Sequence, residues 1–442
     1  MTGMLRPVTA LLLATAIITL GHGLQGVLLP LRAQHDGFSD VEIGLIGSAY
    51  FLGQLGGCLL APGVIGRVGH IRAFAAFSAV ASTTPLIHAM AGEAIVWFVL
   101  RLINGVSFAG VFLVIESWLA ASSEDNTRGR VLGAYTLIHL TVVMAGMQLI
   151  SLGSPLQFEL FSLVSVLFSL ALLPIALTAT IAPVPPRRAK LRIRPLFAAS
   201  PAAWSAAFLC GITNGAFWMM GPIFAQQAGM SPAHVALFIA TGVLAGAIAQ
   251  WPAGSLSDRL GRRGPLAITS ALAAAAGIAL ATIDQHQSGL LFMSMAIFGA
   301  ANFPIYILSL AHANDMVSKR RAVSVASGLL LVFSIGAVIG PAVSAYAMSV
   351  FGPAALFVTT AVVHTLIVLI VVVRVRIRPR LSKRYREDFV LVPRTTPAIY
   401  ELDPRTDPLA EAPEPPSSEP APMASAEQLV PEKEGSAETI VV

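Results

Sequence analysis

From residue 8 to residue 375 the chain is a succession of apolar stretches, each about as long as a bilayer is thick, separated by short clusters of Gly, Pro and charge. A helix rises 1.5 Å per residue, so about 20 apolar residues cross the hydrocarbon core, where the backbone must satisfy its own hydrogen bonds. The runs fall near 8–30, 41–65, 71–91, 93–121, 130–152, 157–181, 201–226, 233–256, 265–283, 289–313, 322–350 and 353–375, and predict an all-α integral membrane protein with twelve transmembrane helices. The first run follows Arg6, is too long for a signal-peptide core and lacks a clear small-residue cleavage site, so it is expected to remain as the first membrane helix. The longest internal polar stretch, 183–195, carries five basic residues. It divides an N-terminal six-helix half (1–181) from a C-terminal one (201–375), with 182–200 as a basic cytoplasmic linker and 376–442 as a tail.

Composition narrows the class. With 55% apolar and 12% charged residues, a soluble enzyme, a disulfide scaffold and a disordered chain are excluded. The net charge of +5 is uneven: residues 1–394 hold 26 Lys/Arg against 13 Asp/Glu, and 395–442 hold 2 against 10. The basic surplus therefore belongs to the membrane part, where it marks loops facing anionic lipid and gives no reason to expect nucleic acid. Sixteen Lys/Arg lie on alternate connections, and only Arg32 lies on the others. That bias predicts both termini in the cytoplasm of a bacterial inner membrane. Cys58 and Cys210 fall inside apolar runs and suggest neither a disulfide nor a metal site.

A shift of 192 residues lays the second half on the first, pairing Gly23 with Gly215, Pro30 with Pro222, Gln34 with Gln226, Gly37 with Gly229, Ser39 with Ser231, Arg67 with Arg259 and Gly69 with Gly261. One register kept over so many turn and capping residues indicates duplication. Ser39 with Glu42 predicts a capping box, and Ser231 precedes Pro232 at a first helical position. Two repeated halves suit a transporter whose site lies between them near the midplane.

The stretch Gly254-Ser-Leu-Ser-Asp258-Arg259-Leu-Gly261-Arg262-Arg263 resembles the G-x-L-x-D-R-x-G-R-R signature of the major facilitator superfamily. Arg101-x-x-Asn104-Gly105-x-x-x-Ala109-Gly110 is similar to that family's second motif, and Glu116-Ser-Trp-Leu119 is similar to its YcaD-like branch. Gly336-Ala-Val-Ile-Gly340-Pro341 is similar to the glycine-rich antiporter motif, a helix-packing element, although it stands in the eleventh run and the fifth reads Met144-Ala-Gly-Met-Gln148 instead. The resemblance covers residues 1 to about 375 and implies the major facilitator fold, two pseudo-symmetric halves moving a small-molecule substrate by alternating access. In the first half Gly66 replaces the signature's acid, leaving Arg67, Gly69 and Arg72. Gly254 and Gly261 suit tight packing and positive backbone angles. Asp258 can face a helix N-terminus, and Arg259, Arg262 and Arg263 can pair with Asp315, Glu124 or Asp125, making a cytoplasmic gate. The alternative is that these arginines only fix topology.

Charge inside a membrane costs at least about 2.5 to 3.5 kcal/mol, so each such residue is a candidate for the substrate or proton pathway. Arg101 and Glu116 lie on one face of the fourth run, about 22 Å apart along its axis, with Asn104 beside them. Their structural alternatives are snorkelling for Arg101 and an ion pair to Arg67 or Arg72 for Glu116. His22 shares a face with Thr15, Thr19 and Gly26, Asn214 is its repeat-mate, and His139 and Asn302 complete the set, with Tyr50 and Gln54 as further lining. Histidine titrates near neutral pH and can relay protons, though buried histidines are commonly structural.

The tail is basic to Arg394 and then Pro- and Glu-rich, so it is expected to be disordered. The leading expectation is a secondary active transporter for a small organic solute, coupled to protons and acting as a monomer in the lipid bilayer, with no cofactor. The alternatives are a proton-coupled exporter of amphipathic compounds and a transporter-like receptor signalling through its tail. A membrane enzyme is disfavoured, because no nucleophile stands with its base and no metal cluster is apparent.

Overall fold

The computed structural model describes residues 2–124, 126–178, 183, 197, 200–284, 287–316, 322–377 and 390–403. Its twelve membrane-length helices are α1 Val8–His35, α2 Asp40–Val68, α3 His70–Met90, α4 Ala94–Ala121, α5 Arg128–Leu152, α6 Phe158–Ala176, α7 Pro201–Gln227, α8 Pro232–Leu260, α9 Arg263–Thr282, α10 Ser288–Asn314, α11 Ala322–Phe351 and α12 Ala355–Arg374. Large apolar side chains such as Leu137, Leu177, Ile248, Trp251 and Phe351 face outward, as a lipid-facing surface requires. The basic linker expected at 182–200 lies almost wholly outside the described residues, as does Asp125.

Boundaries differ from the sequence reading in three helices, and in α1 a proline read as a stop lies inside the helix. Helix α1 continues past Pro30 to His35. A proline frees the carbonyl four residues back; here that is Gly26, and Gly26 and Pro30 both line the central cavity. Helix α6 ends at Ala176 instead of 181, after a break at Ala171. Helix α10 is interrupted at Phe303, immediately before Pro304.

Within the first six helices α2 packs on α4 and α1 on α5; within the second, α7 packs on α11 and α8 on α10. Glycine permits these approaches. A Cβ on Gly336 would stand 2.1 Å from the Phe208 carbonyl oxygen, and one on Gly340 2.1 Å from that of Ile212. Opposite them, a Cβ on Gly211 would meet the Phe333 carbonyl at 2.1 Å and one on Gly215 that of Ala337 at 2.3 Å. The stretch Gly336 to Pro341 therefore closes the α7–α11 seam. The repeat is visible in the turns, where Gly69 and Gly261 have φ of 82° and 91°. The capping box of Ser39 and Glu42 is formed, and Ser231 caps α8 by accepting from the His234 backbone N–H.

The two ends of the molecule are joined differently. At the end opposite the basic loops the halves touch directly: Gly44 abuts Ala345 and Pro341, Gly47 abuts Met219, and Gln227 donates to Asp40 at 3.0 Å. At the basic end, residues 390–403 lie between the halves, with a 3-10 turn over Pro397–Leu402 against α4, α5 and α11. This corrects the expectation of a wholly disordered tail. Ala398, Ile399, Tyr400 and Leu402 are buried, forming an apolar island within a polar, acidic tail.

Candidate functional site

Four helices from each half (α1, α2, α4, α5, α7, α8, α10 and α11) enclose a cavity of about 200 Å³, and Leu391 to Thr395 complete its wall. Much of the wall is apolar, including Leu29, Phe51, Phe112, Met147, Trp218, Met219 and Phe333. The polar groups set into it have unusual freedom. Both side-chain heteroatoms of Gln25, Nδ1 of His22 and of His139, Nε of Arg101 and Oδ1 of Asn214 are buried without a hydrogen-bond partner. A buried polar group left unpaired costs on the order of 1 to 3 kcal/mol, so such a cluster is poised for a ligand or water.

Arg101 is the centre of this cluster. Its guanidinium stands 4.2 Å from the centroid of the Tyr50 ring and donates to Asn104 Oδ1 at 3.2 Å. Asn104 in turn donates to Thr84 Oγ1 at 2.9 Å, so a chain of bonds from α3 through α4 fixes the cation. No described carboxylate pairs with Arg101, and its side chain is buried, so it does not snorkel to the interface. Asn104 stands behind the wall, bonded to Arg101 on one side and Thr84 on the other. His22 packs 4.5 Å from Phe108, and His139 packs 5.5 Å from Phe112, both measured between ring centroids.

Glu116 lies nearer the basic end and outside the cavity wall. Tyr135 donates to its Oε1 at 2.6 Å, and Thr396 of the tail donates to its Oε2. Neither Arg67 nor Arg72 reaches it; both are exposed at the α2–α3 turn. The ion-pair reading of Glu116 is thereby replaced by a carboxyl held between hydroxyls, one of them from 280 residues away. Asn302 is also withdrawn from the cavity. Its Oδ1 accepts from Thr213 at 3.0 Å and contacts His364 Nε2 at 3.1 Å, tying α10 to α7 and α12.

The signature loop makes a compact charge cluster inside the second half. Arg262 Nε donates to Asp315 at 2.8 Å, and its Nη1 donates to Asp258 and, at 3.3 Å, to Ser257. Burial opposes the charge on Arg262, but the bonds and attraction of Asp315 and Asp258 outweigh it and hold its pKa above the ordinary value. Arg263 reaches the Arg374 carbonyl at 3.4 Å, while Arg259 is exposed. Gly261 makes the turn, whereas Gly254 is buried within α8. The expected pairing across the halves to Glu124 is not formed in this conformation; the cluster joins α8 to α10.

Sequence reasoning missed the tail's part in the site. Arg394 stands 5.1 Å from the Phe333 centroid, 5.6 Å from that of Phe303 and 5.7 Å from that of Tyr306, and the Tyr400 and Tyr306 hydroxyls are 2.6 Å apart. Burial lowers the pKa of Arg394 and raises that of Tyr400. The available signal was the run Val390-Leu-Val392 with Ala398-Ile-Tyr400 and Leu402, which averaging over a polar tail conceals. Gln250 and Thr136, also in the wall, had no distinguishing pattern.

Comparison with known proteins places these features. The family model described as Major Facilitator Superfamily matches twice, over residues 11–205 and 203–402. A curated relative from Escherichia fergusonii, called an uncharacterized MFS-type transporter YcaD, is 28% identical over 358 residues, covering 80% of this chain and 92% of its own. Among solved structures, the nucleoside transporter NupG superposes with a TM-score of 0.69 at 16% identity, covering 83% of this chain and 98% of its own. A bacterial homologue of the human lysosomal transporter Spinster, inward-facing and unoccupied, gives 0.73 at 16% identity, with 86% and 99% covered. At such identities these structures speak for the fold alone.

Proposed function

Because the chain belongs to the major facilitator superfamily, we propose that it is a proton-coupled secondary transporter whose solute is a small amphipathic organic anion. The observation that carries this reading is Arg101, a buried cation on the cavity wall with an unpartnered Nε and no carboxylate partner among the described residues. A guanidinium offers a planar fork suited to a carboxylate or phosphate. The apolar wall around it suits the body of such a solute, and Gln25, His22 and Asn214 supply hydrogen bonds for its remaining polar atoms. Alternating access is supported by the asymmetry of the two ends: helices meet directly at one, while only the tail intervenes at the other. With the basic loops in the cytoplasm of a bacterial inner membrane, this conformation is closed to the outside.

In this reading Glu116 is the proton site. It is an acid buried in a membrane helix with no cation partner among the described residues, and Tyr135 can donate to the carboxylate or accept from the carboxylic acid. The signature cluster of Arg262, Asp258 and Asp315 keeps the basic ends of α8 and α10 moving as one piece and exchanges partners when that end closes.

The test uses purified protein and a panel of aryl and alkyl monocarboxylates beside their neutral amide counterparts, first by thermal shift and then by uptake into proteoliposomes with and without a pH gradient. Carboxylates are expected to stabilise and enter, and Arg101→Gln to abolish the preference. Equal responses to acids and amides in the wild type would remove the anion from the reading.

A further inference from the structure

Residues 390–403 occupy the space through which a solute would enter from the basic end. Leu391 to Thr395 form part of the cavity wall, Thr396 bonds Glu116 on α4, and Tyr400 meets Tyr306 on α10. Arg394 fills a box of three aromatic rings, Phe303, Tyr306 and Phe333, contributed by α10 and α11. One short segment therefore holds groups from both halves at once. Each contact is of a kind that stabilises a fit: a guanidinium is attracted to aromatic faces, and the buried Ala398, Ile399, Tyr400 and Leu402 are removed from water. Twelve residues, 378–389, link the last helix to the segment, a length whose upper bound is about 40 Å.

We propose that residues 390–403 are a tethered plug, a segment of the chain that docks between the halves at the basic end, covers Glu116 and the aromatic box, and must leave before solute passes. Docked, it holds the halves apart at that end, because the space they would close into is filled. Released, it frees Glu116 Oε2 and the three rings to face the cavity. Its linkage to the membrane helices keeps its effective concentration high, so it returns rapidly and competes with solute for the same space.

The test reads access to the cavity without any solute, so its outcome does not depend on the transport assignment. In a full-length chain with Cys58 and Cys210 replaced by Ser, Thr136→Cys puts one reporter thiol on the cavity wall, and its labelling by a hydrophilic maleimide is timed. Deleting 390–403 is expected to speed labelling at least about tenfold, and a synthetic peptide of residues 390–403 to slow it again, while a scrambled peptide does not. The double variant Thr396→Val/Tyr400→Phe, which removes the hydroxyls that meet Glu116 and Tyr306 at nearly constant volume, is expected to fall between. A labelling rate unchanged by the deletion overturns the proposal, as does a raised rate that the peptide does not lower.

Discussion

Arg101 and Glu116 are carried by the same helix, yet their surroundings differ in origin. Among the described residues, Arg101 is held by the membrane bundle: Asn104, Tyr50 and, through Asn104, Thr84. Glu116 shares its carboxyl between Tyr135 of the bundle and Thr396 of the tail. The cation is a fixed element with a donor left over for something that comes and goes, whereas the acid is an element whose partners can change. Under the proposed function, solute recognition falls to the first and coupling to the second, and the Arg101 and Glu116 variants below separate the two.

The largest effect is expected from Arg101→Gln. Removing one partner of a buried charged contact costs about 2 to 5 kcal/mol, or about thirty- to several thousandfold in solute affinity. Uptake of radiolabelled carboxylate should fall by that order, and Arg101→Lys should recover only part, since an ammonium lacks the planar fork. Next is Glu116→Gln, which keeps shape and hydrogen bonding but cannot ionise. It should lose accumulation driven by a pH gradient while exchange of internal for external solute stays within about threefold of wild type. Asn104→Ala should be milder, raising KM about tenfold with little change in kcat, because one positioning hydrogen bond is worth about 1 to 1.5 kcal/mol. The smallest effect is expected from Arg67→Gln, whose side chain is exposed: unfolding free energy should change by no more than about 0.5 kcal/mol. Asp315→Asn sharpens that last comparison from the repeat-related loop, since leaving buried Arg262 with only one of its two acids should cost several times more.

The fold was legible because a bilayer imposes length and apolarity on every crossing, and the twelve helices follow the apolar runs closely. Proline was the weak point in α1, since Pro30, read as its end, lies inside a helix that runs on to His35. The placement of the candidate residues was legible in part. His22, Arg101, His139 and Asn214 meet on one cavity wall, as polar residues in apolar helices suggested. Asn302 went astray because sequence cannot tell a polar side chain that faces a cavity from one that bonds to a neighbouring helix, as Asn302 does with Thr213 and His364. The partners of Glu116 were out of reach for another reason: Thr396 lies far along the chain in a segment whose mean composition hides its apolar island.

The division of labour along α4 is tested most directly by measuring, in parallel proteoliposomes, solute exchange at equal pH and accumulation under an imposed pH gradient for wild type, Arg101→Gln and Glu116→Gln. Arg101→Gln is predicted to lose both processes, and Glu116→Gln to lose accumulation while retaining exchange. If Glu116→Gln accumulates solute as wild type does, or if Arg101→Gln exchanges it at the wild-type rate, the assignment of coupling to the acid and recognition to the cation is contradicted.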